Sequence, residues 1–186
     1  STYVKAAIFE IWKTLVIAFV LVTLIIFLFL GNIKSVIVPA VALPVSLIGT
    51  FIGLTVFDLS INIFVLLSFI LAIGIITDDS VIMTDAIYQK IEDGQTPLVA
   101  AWLGAKSITA PIISTTLVLV ASFAPLIFLS GITGTLFRET AIALSFAIVV
   151  SSFVALTLSP ALAANFLGKN MKKAKIALKF EKYYKS

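Results

Sequence analysis

The segment GIITDDSVIMTDAI, from Gly74 to Ile87, decides the fold because it places two adjacent carboxylates in a run that is otherwise almost wholly apolar. Asp78 and Asp79 lie a little past the middle of the apolar run 61–87. A helix of about 20 apolar residues is long enough to cross a bilayer. The segment therefore predicts a membrane-spanning helix that carries an acidic pair at hydrocarbon depth.

The composition of the whole chain agrees with a membrane protein. Of its 186 residues, 61% are hydrophobic and 12% are charged, whereas soluble domains have about 45–50% apolar and about 25% charged residues. We therefore predict an all-α polytopic membrane bundle. The length suffices for one bundle of about five spans and leaves no room for a second large domain.

Five long apolar runs predict the spans of this bundle, and together they define a transmembrane domain over residues 1–168. The prolines inside the runs predict kinks and not breaks, because neighbouring helices can satisfy the backbone groups that proline frees. After the last run, residues 169–186 predict a basic amphipathic helix that lies on the cytoplasmic membrane surface. The runs cover residues 11–30, 36–57, 61–87, 108–129 and 140–167.

The lysines outside the runs predict the orientation of the bundle. Lys34, Lys90, Lys106 and the seven lysines of 169–186 fall in links that alternate onto one side. Cytoplasmic links carry an excess of Lys and Arg, so this side, with the C-terminus, is predicted to be cytoplasmic and the N-terminus to lie outside. Because the chain begins at Ser1 and its first span would enter from outside, we expect a further segment upstream.

The link between the third and fourth runs is predicted to form structure of its own. Asp93-Gly94 is a turn signal, and Thr96-Pro97 is typical of a helix start. We expect a surface amphipathic helix here that leads into the fourth span.

Histidine and cysteine are both absent from the chain. This removes imidazole bases, thiolate nucleophiles, disulfides and the commonest metal ligands, so proton chemistry must use carboxylates, and we expect no metal or other cofactor. The net charge of +4 is a property of the tail, where seven of the thirteen Lys and Arg residues lie. The expected partners are therefore the lipid bilayer and protons, and not nucleic acid.

The acidic pair is the candidate functional site. A charged side chain at the centre of a spanning helix costs about 3 kcal/mol on insertion scales, so both acids should face a protein interior or a wet cavity. Desolvation and a neighbouring like charge favour the neutral form of a carboxyl group, which would let Asp78 and Asp79 gain and lose protons at physiological pH. The alternative is that the pair only forms hydrogen bonds between helices.

Asp85 lies seven residues after Asp78, two helical turns on and on the same face. It is interpreted either as an exit step for protons or as a solvated helix end. Thr77 and the hydroxyl residues of the fourth and fifth runs can donate to carboxylates, or they can bond to backbone carbonyls. No Lys or Arg lies in the core of any run, so no cation of this chain is expected to pair with the acids.

Small residues predict close contacts between helices. Gly49 and Gly53 form a GxxxG pattern, and Gly74 stands one turn before Asp78. An alternative function is a stand-alone scaffold or half-transporter that pairs with a second copy through Gly49 and Gly53. An intramembrane aspartyl protease is disfavoured, because adjacent helical positions point about 100° apart and cannot converge on one water. We expect no enzymatic activity.

The segment LAIGIITDDSVIMTDAI resembles the acid-pair helix of the resistance–nodulation–division (RND) superfamily, particularly its multidrug efflux branch. The resemblance continues on both sides, in EIWKTLVIAFVLVTLIIFLFLGNIKSVIVPAVALPVSLIGTF and in GITGTLFRETAIALSFAIVVSSFVALTLSPALAANFL, whose Ser-Pro-Ala-Leu ending covers Ser159 to Leu162. FEKYYKS resembles the cytoplasmic helix that joins the two halves of these transporters. Asp85-Ala86 stands where family members usually have Glu-Asn.

The resemblance implies a proton-driven antiporter of the bacterial inner membrane. It gives proton translocation to Asp78 and Asp79, which a lysine and other polar residues from the second half of the transporter would meet. This chain resembles the transmembrane segment of the first half. The expected partner is therefore the missing second half or, in the alternative, a second copy of the chain.

Overall fold

The computed structural model describes residues 2–30, 32–56 and 62–168, and it is all-helical over these ranges, as the sequence predicts. The link 57–61 and the predicted basic helix at 169–186 lie outside the described residues. Within these ranges the structure has five helices, in this order: α1 (Thr2–Leu30), α2 (Ile33–Val56), α3 (Ile63–Glu92), α4 (Pro97–Ile127) and α5 (Gly131–Phe166).

The helices are longer than the apolar runs that predicted them. α3 has 30 residues and α4 has 31, which corresponds to about 45 Å each and exceeds the roughly 30 Å of a hydrocarbon core. In the described part of the chain, four helices are long and apolar enough to cross a membrane, and within α1 the shorter stretch Val16–Leu28 is apolar. The interior prolines do not end any of these helices.

The predicted surface helix before the fourth span is not a separate element. α4 begins at Pro97, after the extended residue Thr96, and continues without interruption into the apolar run. The turn lies at Asp93 and Gly94, where Gly94 has a φ of 90°. The helix stays continuous because its first turns pack on α3, as Ala100 and Ala101 are buried.

α3 and α5 form the centre of the bundle. α3 contacts each of the other four helices, and α5 contacts α2, α3 and α4. Over the described residues, α1 contacts only α2 and α3. α4 buries the smallest share of its surface among the four long spans, so it is the most peripheral of them.

Two large apolar clusters, one toward each end of the bundle, hold the described helices together, and a small third one joins Ile26 of α1 to Val36 of α2. Where α2, α3 and α5 meet, the rings of Phe51 and Phe69 stack with centroids 4.3 Å apart. The second cluster extends beyond the apolar runs and joins the end of α3 to α4 and α5. It contains Met83, Ile87, Tyr88, Ile91, Ala100, Ala101, Ala163 and Leu167.

Asn62 ties the beginning of α3 to α5. Its Oδ1 accepts a hydrogen bond from the Val65 N–H at 2.9 Å, which caps α3. Its Nδ2 donates to Oε2 of Glu139 on α5. One side chain therefore caps the start of α3 and joins it to its main neighbour α5.

Glycines allow three close contacts between helices. A Cβ added at Gly49 would meet the side chain of Val150, and a Cβ added at Gly53 would meet the ring of Phe146. Both partners belong to α5, so α2 and α5 pack closely at these glycines. A Cβ on Gly104 would lie 2.9 Å from both the N and the Cα of Ile87, so α4 packs directly on the α3 backbone. The predicted packing residue Gly74 has open space in the Cβ direction, with no atom within 4 Å.

The close approach at Gly104 gives the first prediction. Gly104→Ala should destabilise the chain by about 1–3 kcal/mol, because the backbone of α3 must move to admit the methyl group. Gly74→Ala is the matched control, and it should raise stability by up to about 1 kcal/mol through helix propensity alone. Unfolding in mixed micelles, followed by circular dichroism, measures both. Equal stability of the two variants would contradict the contact.

Candidate functional site

The buried and exposed residues of α3 separate into two faces. The face buried against other helices repeats every three or four residues from Val65 to Ile91. The opposite face, called here the exposed stripe, is uncovered by the described residues. It consists of Leu67, Leu71, Gly74, Asp78 and Ile82.

Asp78 belongs to the exposed stripe, and Asp79 lies half-buried beside it. They are the sixteenth and seventeenth of the 30 residues of α3. Each end of the helix is therefore about 20 Å away along the axis, farther than an aspartate side chain can reach toward the headgroups. The sequence prediction placed the pair nearer one end, because the apolar run is shorter than the helix.

Neither carboxylate has a partner among the described residues. No hydrogen bond or ion pair there joins Asp78 or Asp79 to another side chain. The ion pair between Lys90 and Asp93, at 3.4 Å, lies at the end of α3. Any counter-charge at the depth of the acids must therefore come from outside the described part of the chain.

The hydroxyl groups near the acids bond to backbone carbonyls. Thr77 Oγ1 donates to the carbonyls of Ile73 and Gly74 at 2.9 and 2.8 Å. Ser151 of α5 donates to the Ile76 carbonyl at 3.1 Å, and Thr116 of α4 donates within its own helix. These bonds satisfy the hydroxyls without bringing them to a carboxylate.

A contact between two serines was not predicted from the sequence. Ser80 and Ser159 are both buried, and their Oγ atoms lie 3.4 Å apart across the α3–α5 interface. Thr84 extends this polar face by donating to the Ser80 carbonyl at 2.7 Å. The spacing Ser80–Thr84 at i,i+4 was the available signal, because it places both hydroxyls on one helix face.

Asp85 is half-buried and lies on nearly the same face as Asp78, about 10 Å farther along the helix. Its Oδ2 accepts a hydrogen bond from Gln89 Nε2 at 2.8 Å, one turn later. This local pairing fits a polar helix end, and the role in proton exit stays a prediction. Within the described ranges, no three carboxylates are close enough to share a metal ion.

The different exposure of the two faces of α3 gives the second prediction. In the cysteine-free chain, Asp78→Cys should react with N-ethylmaleimide in micelles at least about tenfold faster than Ser80→Cys, whose labelling needs local opening. Mass spectrometry of the labelled chain measures both rates. Similar rates would mean that the exposed stripe is covered.

Comparison with known proteins identifies the family of this chain. The family model for AcrB/AcrD/AcrF proteins matches residues 1–186. An uncharacterized transporter of Haemophilus influenzae is 40% identical over 169 residues, which are 91% of this chain and 16% of that protein. The chain therefore spans a small part of the length of this relative. The resemblance to the RND superfamily is confirmed, and the chain belongs to the AcrB/AcrD/AcrF family, a group of multi-pass membrane transporters.

Proposed function

We propose that this chain is the proton-translocating transmembrane segment of a proton-driven efflux transporter, and that Asp78 and Asp79 load and release the protons. The observation that carries the proposal is an acidic pair midway along the central helix α3 with no partner in the described residues. Membership of a transporter family supports transport as the activity.

The energetic argument links protonation to movement. An ionised aspartate at this depth costs about 3 kcal/mol or more unless it is paired or solvated. Either a proton or a cation from another part of the transporter can remove that cost. Loss of the cation therefore favours proton binding, and proton release favours return of the cation. The state of the acids is thereby coupled to how α3 packs against whatever covers the exposed stripe.

The driving force is large enough for this coupling. One elementary charge that crosses 100 mV releases about 2.3 kcal/mol, which biases a conformational equilibrium by nearly fifty-fold. In our proposal, protons enter from the outer side, load Asp78 and Asp79, and leave past Asp85 toward the lysine-rich end. The two turns between Asp78 and Asp85 on one face support this direction.

The lysine-rich end is proposed to face the cytoplasm of a bacterium, with the protein in the inner membrane. Lys34 begins α2, Lys90 ends α3 and Lys106 lies in the first turns of α4, so all three fall at one end of the antiparallel helices. The excess of positive charge in cytoplasmic links supports this orientation. We propose multidrug-type substrates by analogy with the RND resemblance, and no enzymatic reaction.

Replacement of either acid by its amide gives the third prediction. In the full-length transporter, Asp78→Asn and Asp79→Asn should each abolish proton-driven export, because an amide keeps the shape and cannot carry a proton. Export driven by a pH gradient in proteoliposomes measures this. Asp93→Asn, at the exposed turn after α3, is the matched control and should leave export unchanged.

A rescue variant separates proton chemistry from folding in this experiment. Asp79→Glu retains an acid on the same helix and should restore part of the export that Asp79→Asn loses, which separates proton chemistry from folding. Full export by both amide variants would overturn the proposal.

A self-associating scaffold or half-transporter is the second candidate, and the uncovered exposed stripe favours it. A second copy, however, would bring another acidic pair and no cation to this depth. Gly49 and Gly53, which motivated self-association, already contact α5 of the same chain. These two observations favour the first proposal.

Disulfide crosslinking gives the fourth prediction and tests self-association. Ile82→Cys on the exposed stripe, 50% exposed, should form no more dimer in bilayers than Leu117→Cys, a 64% exposed control on α4. Gel electrophoresis after mild oxidation measures the dimer. Crosslinking specific to Ile82→Cys would support paired copies instead.

A further inference from the structure

The first ten residues of α4 have two different faces. Ala100, Ala101 and Gly104 are buried, and Gly104 packs on the backbone of Ile87. On the outer face, Leu98 is 74% exposed and Trp102 is 62% exposed, with Val99 exposed beside them. Three large apolar side chains on one short surface are unfavourable in bulk water, so this face requires a covering environment.

Lys106 adds a cation to this apolar face. It is the only charged residue of α4, and no ion pair in the described ranges joins it to a carboxylate. Its Nζ lies 5.0 Å from the centroid of the Trp102 ring, one turn earlier, within the range of a cation–π interaction. The side chain thus points back along the helix toward Pro97, away from the apolar run.

The length of α4 places this surface at the level of the headgroups. Its 31 residues span about 46 Å, close to the 40–45 Å of a bilayer that includes both headgroup layers. Residues before the apolar run at 108 therefore lie in one headgroup layer. Tryptophan is enriched at this depth, and a lysine just inside the boundary extends its ammonium group toward the phosphates.

We propose that Leu98, Val99, Trp102 and Lys106 form a binding surface for an anionic phospholipid. Lys106 binds the phosphate, the Trp102 ring packs against the glycerol region, and Leu98 and Val99 leave bulk water for the headgroup layer. Charge complementarity selects this occupant, since α4 has no acidic residue to neutralise Lys106. Bound lipid at this position holds the outer helix of the bundle at a fixed depth.

Quenching of Trp102 by brominated lipids tests the proposal and is the fifth prediction. The full chain carries Trp12→Phe, so that Trp102 is the only tryptophan, and is reconstituted in phosphatidylcholine bilayers. Equal small fractions of dibrominated phosphatidylglycerol or dibrominated phosphatidylcholine are then added. We expect phosphatidylglycerol to be about fivefold enriched at Trp102, the preference that one lysine near an anionic surface supplies.

Matched variants separate a specific contact from general attraction. Lys106→Gln should abolish the enrichment, so that both lipids are present at Trp102 in a ratio of about one. Lys90→Gln, at the same end of the bundle and paired with Asp93, should leave the enrichment unchanged. Equal quenching by both lipids with Lys106 present would overturn the proposal. Absence of quenching by either lipid would also overturn it, because a protein segment would then cover the surface.

Discussion

The hydrocarbon core offers no hydrogen-bond partner, and this constraint organises the whole bundle. Backbone groups are satisfied inside five long helices. The hydroxyl groups of Thr77, Ser151 and Thr116 bond to carbonyls instead of standing free. Asp78 and Asp79 have no partner among the described residues, and the buried hydroxyls of Ser35, Ser46 and Ser145 also lack one. An unpaired charge at this depth costs far more free energy than an unpaired hydroxyl, so the acidic pair identifies where the chain depends on something else.

The two faces of α3 have different roles: one packs against other helices, and the other carries the acidic pair. The inner face combines apolar residues such as Ile76 and Met83 with the small hydroxyls of Ser80 and Thr84, which let α5 approach closely. The exposed stripe carries Asp78, with Asp79 half-buried beside it, and the described residues do not cover it. Stability therefore comes from one side of the helix, and the chemistry of the acids can change on the other side without disturbing the core.

Over the described residues, the sequence predicted the order of the helices, the turn at Asp93 and the helix start at Thr96-Pro97. These features depend on apolar length and on turn residues, which are local signals. The direction of each helix face was harder to predict, because a helix that is apolar all round gives little contrast between lipid-facing and buried positions. Gly74 has open space in the Cβ direction within the described residues, whereas Gly104, for which the sequence offers no comparable signal, packs closely on α3. The predicted helices were shorter than the observed ones. In α3, for example, Tyr88 and Ile91 pack in the second cluster although they lie after the apolar run.

The bond between Asn62 and Glu139 restricts the kind of motion available to α3. The other end of α3 is also held, because Gly104 of α4 packs on the backbone of Ile87. Asp78 lies between these two attachments, about 24 Å from Asn62 and about 14 Å from Ile87 along the axis. The acidic pair therefore lies on the segment of α3 between its two attached ends, where bending of the helix would move the acids without detaching either end.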